Sequence, residues 1–343
     1  MRFSVVIPCR NAVRTVADAV RSARDQIEPP LEVIVVDDAS EDASAEAAEN
    51  AGARVIRNSR RRNAGGARNA GMEAARGDAF AFLDADAIAP RDWLGRVEGV
   101  FESDPEVVGV GGRIANGRPG RWGELDWYLN HSEWIRRGVP GPRKNIPTMG
   151  IVYLRDAIGN VRFPETNFGE DTAFALGVAA RGGKLWYEPE IVLTHLHERL
   201  DATAFRQKQI ACGRTIYLTR STLDRPGRVL VKWPGLLFSF PHLWVTIARM
   251  ARAGHAGKAV RLFPWLVAGE VYRIRGFFEA RKERAAEVHP SRREESPEVI
   301  EGGASRRGSA SVARDQASGR AGLASRSPVA PPGTERASAT ERV

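Results

Sequence analysis

Short apolar runs separated by helical patterns organise the first half of this chain. Residues 3–9 alternate weakly and lead into Pro8-Cys9-Arg10-Asn11. Residues 15–26 then carry Val16, Ala19, Val20 and Ala23 at helical spacing, and Pro29-Pro30 breaks the helix. Residues 32–38 form a β-branched run ending in Asp37-Asp38, the pattern of a buried parallel strand. Ser40 or Asp42 is placed to cap the Ala/Glu-rich helix that follows to Ala51, and residues 52–56 supply another short strand. An Arg-, Asn- and Gly-rich stretch from Arg60 to Gly71 flows into a helix ending near Gly77, and an apolar strand at 79–83 follows at once. This β-α-β-α-β alternation predicts a doubly wound, mostly parallel α/β sheet flanked by helices, with strands ending in polar turns.

The pattern continues less regularly. Apolar runs at 107–110, 151–154, 184–187 and 191–193 predict further strands, and residues 167–171 precede a helix that runs to Arg181 and stops at Gly182-Gly183. Between them, residues 118–147 are rich in Trp, Gly, Pro and Arg and read as a long functional loop. No internal repeat is evident.

After residue 199 the character changes. Residues 233–248 lack Lys, Arg, Asp and Glu but contain Pro234, Gly235, Pro241 and His242, and residues 262–269 are apolar only until Glu270. A membrane-spanning helix needs about 20 predominantly apolar residues, so neither segment qualifies. Trp233, Trp244, Trp265 and Tyr272 are flanked by Arg249, Arg252, Lys258, Arg261, Arg273 and Arg275. That composition describes amphipathic helices lying in a membrane interface, or alternatively an ordinary helical layer packed on the sheet. From residue 283 onward Ser, Arg, Ala, Gly, Pro and Glu dominate, the composition of a disordered tail. The division expected is therefore 1–215, 216–282 and 283–343.

Charge follows this division. The net charge of +9 over 343 residues is concentrated: residues 1–198 carry 25 Lys/Arg against 29 Asp/Glu, whereas residues 199–284 carry 17 against 5. The basic segment suits an acidic membrane surface or a phosphorylated lipid, and the acidic balance of the first part argues against nucleic acid. Two cysteines, Cys9 and Cys212, offer no disulfide framework, and no signal peptide is expected ahead of residue 3, which suits a reducing, cytoplasmic setting.

Asp84 and Asp86 carry the candidate chemistry. Residues two apart on a strand share a face, and the C-terminal strand ends of open α/β sheets are where ligands bind. Two acids there, without bases beside them, repel unless a hard cation such as Mg²⁺ or Mn²⁺ lies between them. The bland alternative is a solvated surface turn. Glu170-Asp171 on its own reads as acids stabilising a helix N-terminus.

Taken in order, these motifs resemble the family 2 glycosyltransferases of GT-A fold: residues 4–11, 35–40, 63–71, 83–86 and 169–171 carry the match, which reaches to about residue 215. The resemblance implies a nucleotide-diphosphate sugar donor, a glycan or lipid-linked acceptor of the cell envelope, a divalent metal and transfer with inversion. It sets Pro8, Arg10 and Asn11 along the nucleotide, and Asp38, ahead of Asp37, at the base. Asn63, Arg68 and Asn69 fall near the base and diphosphate, and Asp84 and Asp86 on the metal, with Asp86 the firmer ligand. His195 falls near the metal or diphosphate, Asp171 at the catalytic base, and Glu170 beside the base. Gln209 and Arg214 match the Gln/Arg region that follows the His. The processive Q-x-x-R-W form is absent because no Trp follows Arg214. Gly177 stands where many relatives have an Arg, and Met149-Gly150-Ile151 replaces a frequent Gly-x-Asn; both departures fall on the acceptor side. The resemblance also leaves room for a non-catalytic nucleotide-sugar-binding protein of the same fold. The expected location is the cytoplasmic face of the cell membrane.

Overall fold

The computed structural model describes residues 1–166, 169–197, 201–222 and 229–288. In chain order the elements are β1 (Phe3–Cys9), α1 (Val16–Arg24), β2 (Glu32–Asp37), α2 (Ser44–Asn50), β3 (Arg54–Arg57), α3 (Asn63–Ala74), β4 (Ala79–Leu83) and β5 (Ala87–Ile88). Next come α4 (Trp93–Ser103), β6 (Val107–Asn116), α5 (Arg121–His131), β7 (Gly141–Arg143), β8 (Gly150–Leu154), α6 (Arg155–Ile158), α7 (Glu170–Ala179) and β9 (Lys184–His195). The last four are α8 (Ala202–Thr222), α9 (Val229–Lys232), α10 (Pro241–Arg252) and α11 (Ala256–Val288).

The expected α/β sheet is present, and it is mixed. Strand order among the described residues is β3-β2-β1-β4-β8-β6-β9-β5, with β7 added on β9. The β3-β2-β1-β4 half is parallel, as its βαβ crossovers require. Beyond β4 the chain returns antiparallel through β8, and β6 and β9 pair parallel to each other. Strands of the first half are buried on both faces, which is why they read as continuous Val/Ile runs: Val5, Val6, Ile7, Ile34, Val35 and Val36 are all fully buried. α1 puts Val16, Ala19, Val20 and Ala23 into this core at the predicted spacing.

The region 118–147 differs from expectation. It is not one long loop, because α5 occupies its first part and β7 its end. Leu125, Tyr128 and Leu129 on α5 pack with Phe205, Leu243, Met250, Leu262 and Leu266, so α5 is the seat on which the C-terminal helices rest. Several residues assigned to an interfacial rim turn inward instead. Arg273 is buried and donates to Gln209 Oε1 (2.7 Å), Leu129 O (2.9 Å) and Asn130 Oδ1 (2.7 Å). Trp265 lies under the Arg121 guanidinium at 4.4 Å, and Arg249 donates to Ser132 Oγ at 3.0 Å. The aromatic face left outward is made by Trp233, Phe238 and Trp244, 68%, 61% and 56% exposed.

α8 runs continuously through position 215, and residues 283–288 belong to α11. Glu283 pairs there with Arg214, and Arg284 donates to Ser221. Residues 289–343, which hold the rest of the tail expected from 283, lie outside the described residues.

α8 and α11 approach backbone to backbone, and two glycines allow it. A Cβ at Gly213 would sit 1.9 Å from Arg273 O, and one at Gly276 would sit 2.0 Å from Ile210 O. Neither carbonyl can retreat without moving its helix. Gly213→Ala and Gly276→Ala are therefore expected to destabilise the fold by about 1–3 kcal/mol each, read as a lower urea midpoint at unchanged m-value.

Candidate active site

A cleft of about 580 Å³ opens at the C-terminal ends of β1, β2 and β4. Its first wall is made where β1 and β2 finish side by side. The Arg10 guanidinium donates to Asp38 O (2.8 Å) and Ala39 O (2.7 Å). Asn11 exchanges two bonds with the same loop, its N–H donating to Ser40 Oγ (3.0 Å) and its Oδ1 accepting from Glu41 N–H (2.8 Å). Arg10 and Asn11 thus shape this wall as well as line it. Buried Asp38 accepts from Asn58 Nδ2 (2.9 Å) and Arg62 N–H (2.7 Å), both on Oδ1. Its Oδ2 takes no donor among the described residues. Asp38 lines the cleft and Asp37 does not.

The second wall is the start of α3. Asn63 opens the helix with φ +62°, an αL conformation that Asn tolerates better than most residues. Gly65 lets another segment lie against the helix, since a Cβ there would meet Pro164 O at 2.1 Å. Asn69 holds that segment in place: its amide donates to Phe163 O (2.8 Å) and its Oδ1 accepts from Phe163 N–H (2.9 Å). Asn69 is buried by this clamp and does not line the cleft, so the donor contact expected of it is corrected to a positioning role.

The floor is the turn after β4. The strand stops at Leu83, and Ala87 N–H donates to Asp84 O at 3.0 Å, so Asp84 and Asp86 sit on a turn and not on one strand face. Each acid also has its own basic neighbour, against expectation. Arg68 Nη2 donates to Asp84 Oδ1 at 2.9 Å. His195 Nε2 lies 3.2 Å from Asp86 Oδ2, brought there because β5 pairs with the end of β9 in the register Ala87↔His195. A sequence reading could not see these bases because they stand 16 and 109 residues away.

The third wall is the first turn of α7. Glu170 lines the cleft and its Oε1 lies 3.4 Å from Arg68 Nη1. Burial pushes the Glu170 carboxyl above the usual glutamate range. Arg68 opposes that shift, and the charges of Asp171 and Asp84 add to it. Asp171 does not line the cleft; its Oδ1 accepts the Thr172 N–H at 2.6 Å. Arg68 itself is 3% exposed and lies 5.5 Å over the Phe163 ring, which stacks on Phe174 at 3.7 Å.

Of the residues expected at the site, Pro8, Arg10, Asn11, Asp38, Asn63, Arg68, Asp84, Asp86 and Glu170 converge on this cleft. His195 reaches it through Asp86. Arg214 does not, since its guanidinium is held by Glu283 at 2.9 Å on α11, which corrects its expected donor role. Gln209 is buried against Asp126 (3.2 Å) and Arg273. Arg61, Thr15 and Thr166 also line the cleft and were not singled out. For Arg61 a signal existed in the three arginines that immediately precede Asn63.

The donor set suits a divalent cation of the Mn²⁺ or Mg²⁺ class. Asp86 offers a half-buried carboxylate and His195 a buried imidazole whose Nδ1 has no hydrogen-bond partner among the described residues. No three His, Cys, Asp or Glu side chains converge as a cage among the described residues. Metals of this kind bind through one or two carboxylates with substrate phosphates completing the shell, so the pair fits.

The mixed α/β sheet, with its acid-lined cleft at the strand ends, has the GT-A fold. The chain belongs to the family 2 glycosyltransferases. The family profile, glycosyl transferase family 2, matches residues 4–158. The succinoglycan biosynthesis protein ExoO of Rhizobium meliloti is 41% identical over 243 residues, 64% of this chain and 68% of that protein. The pre-mycofactocin glycosyltransferase of Mycobacterium tuberculosis is 32% identical over 206 residues, 57% of this chain; the match spans only 42% of that protein's length. Among solved structures, a mannosyltransferase from Pyrobaculum calidifontis in complex with GDP-Man and Mn²⁺ shares the fold. Its TM-score is 0.56 at 18% identity, over 82% of this chain and 88% of that one.

The Glu170 shift has a checkable sign. Its native pKa is raised, so the native state binds a proton more tightly than the unfolded chain. Stability from this group therefore falls as pH rises through the window between the ordinary glutamate value and the raised one, and is flat above it. Urea unfolding in EDTA across that window is expected to show the stability of Glu170→Gln rising relative to wild type as pH increases.

Proposed function

We propose that this chain transfers a glycosyl group from a nucleotide-diphosphate sugar to an acceptor hydroxyl, with inversion and divalent-metal assistance, in cell-envelope or lipid-linked glycan synthesis. The observation that carries this reading is the convergence of Asp38, Arg68, Asp84, Asp86 and Glu170 on one cleft at the strand ends. Relatives named for succinoglycan, amylovoran and teichuronic acid biosynthesis support an envelope glycan as product. The GDP-Man and Mn²⁺ seen with the Pyrobaculum enzyme support the donor type and the metal.

In this reading the nucleotide rests against Pro8, Asn11 and Asp38, whose free Oδ2 accepts a hydrogen bond from the base. Arg61 and Arg68 face the diphosphate, where guanidinium groups form short charge-assisted bonds. Asp86 and His195, with Asp84 behind them, would hold the divalent cation, whose Lewis acidity neutralises the departing diphosphate.

Asp171 is the base. It stands between Glu170, which lines the donor cleft, and Thr172, whose hydroxyl accepts from Asn145 Nδ2 at 3.3 Å on the opposite side. The acceptor oxygen attacks the anomeric carbon from the face opposite the diphosphate while its proton passes to Asp171. The bond from that carbon to the diphosphate oxygen breaks, and its electron pair leaves with the diphosphate. Glu170 keeps Arg68 in place during the step.

Asp171→Asn is expected to lower kcat by about 10²–10⁴-fold, the usual contribution of a positioned base, while the donor-induced thermal shift stays as in wild type. Unchanged transfer in Asp171→Asn together with loss in Glu170→Gln would move the base to Glu170. Asp86→Ala is expected to abolish the Mn²⁺ dependence of donor hydrolysis.

We further propose that the C-terminal helices rest on the cytoplasmic face of an anionic membrane. No helix among the described residues is long and apolar enough to cross a bilayer. Trp233, Phe238 and Trp244 form an outward aromatic face, with Lys232 and Arg252 exposed beside it. Rings with cationic neighbours lie at the headgroup level. Wild type is expected to float with anionic phospholipid vesicles at low salt, and Trp233→Ala/Trp244→Ala to remain in the dense fraction. Failure of wild type to float removes the proposal.

A further inference from the structure

A second cleft, of about 370 Å³, is lined by residues that follow α5 and by Tyr187 of β9. Trp134 and Tyr187 pack beneath it, both buried, their rings 5.3 Å apart and inclined at 37°. β7 pairs antiparallel with β9 in the register Gly141↔Tyr187. The Tyr187 hydroxyl donates to Arg137 O at 2.7 Å, which fixes the intervening segment over the strand.

Arg143 lies 4.9 Å over the Tyr187 ring and donates only to the carbonyls of Pro142 and Val139, both at 3.0 Å. No carboxylate among the described residues pairs with Arg143 or Arg136, although both line the cleft. Arg137 between them is paired, with Glu190. Glu133 is the one acid on the cleft, and it feels the charge of Arg249. Two buried polar atoms are also unmatched among the described residues: Asn145 Oδ1, an acceptor, and Trp134 Nε1, a donor.

Two exposed cations without carboxylate partners, on a cleft of this size, describe an anionic ligand. We propose that this cleft is the acceptor subsite and that it selects an acceptor sugar bearing a negative charge, carboxylate or phosphate. The inference rests on the glycosyl-transfer reading above and deepens it. Location supports the role. Asn145 lines the cleft and its amide touches Thr172, the residue after Asp171, while Glu170 on the other side of Asp171 lines the donor cleft. The first turn of α7 therefore touches the linings of both clefts, and Asp171 stands on that turn. Arg136 and Arg143 act as specificity residues: they bind the acceptor's charge and leave the bond-making to Asp171.

The test uses the full chain and three probes of one size: methyl glucuronide, glucose 6-phosphate and methyl glucoside. Binding is read by ligand-observed NMR titration at low salt. At least one charged probe is expected to bind about tenfold or more tightly than methyl glucoside, a modest gain for charge-assisted bonds at an open cleft. The preference is expected to vanish in Arg136→Gln/Arg143→Gln, with the neutral probe's affinity and the melting temperature unchanged. Preference for the glucuronide alone or the phosphate alone identifies which charge is read, and either supports the proposal. Equal binding of all three probes, or a preference that survives in the double variant, overturns it. Failure of wild type to hydrolyse a nucleotide-sugar donor would instead sink the transfer reading, and the two failures are read in separate assays.

Discussion

The site depends on one buried cation. Arg68 is almost wholly removed from water, so its charge must be matched by the protein, and two acids do so: Asp84 at 2.9 Å and Glu170 at 3.4 Å. A buried ion pair adds little net stability over apolar packing, but breaking one side of it costs about 3–5 kcal/mol. The pairing therefore acts as a constraint more than as a source of stability. It ties α3, the turn after β4 and the start of α7 to one point, three elements that share no backbone bonds. Phe163 supplies the remaining packing beneath the guanidinium, and Asn69, the next residue of α3, holds Phe163 by both of its backbone groups. Arg68 Nε is buried and has no acceptor among the described residues.

Sheet topology separates the two halves of the chemistry. The parallel strands β3-β2-β1-β4 end together and build the donor side, where the first apolar runs of the chain all deliver polar turns. Antiparallel β8 then intervenes, and β6 and β9 carry the other side. β9 serves both, with Tyr187 near its start in the second cleft and His195 at its end beside Asp86. A strand of this length fixes the spacing of the two clefts as rigidly as the sheet allows, which suits a reaction that needs two substrates held in a set relation.

What could be read from the chain follows from how local each feature is. The β-α-β-α-β half was legible because strands buried on both faces and an amphipathic α1 leave patterns within a few residues of themselves. The antiparallel return through β8 was not, because its pairing is decided by partners far along the chain. The same holds for side chains. Asp84 and Asp86 stand at the expected strand end, yet the reason first given for a cation, acids without bases, does not apply once Arg68 and His195 arrive. Asn69 matches a ligand-contacting motif, but its amide is engaged with Phe163, 94 positions on. Arg214 keeps the spacing of a donor residue while its guanidinium is held by Glu283. The C-terminal pattern of aromatic and basic residues was real, but periodicity could not tell that Arg273 and Trp265 face α5 while Trp233 and Trp244 face outward.

These cases point to a way of sorting the chain's many cations by what surrounds them. Arg68 in the sheet domain and Arg273 in the helical layer are both buried, both bonded to groups on other elements, and both fix the geometry around them. Arg10 belongs with them in function, since its bonds to the carbonyls of Asp38 and Ala39 join two strand ends. Arg62, Arg137 and Arg214 are matched one-to-one by carboxylates, and such exposed pairs contribute little beyond local order. Arg136 and Arg143 fit neither group. Arg143 stands over the Tyr187 ring, and neither arginine has a carboxylate partner among the described residues. Both are exposed, so water solvates their charge in the free protein, and an anionic ligand would exchange that water for charge-assisted bonds.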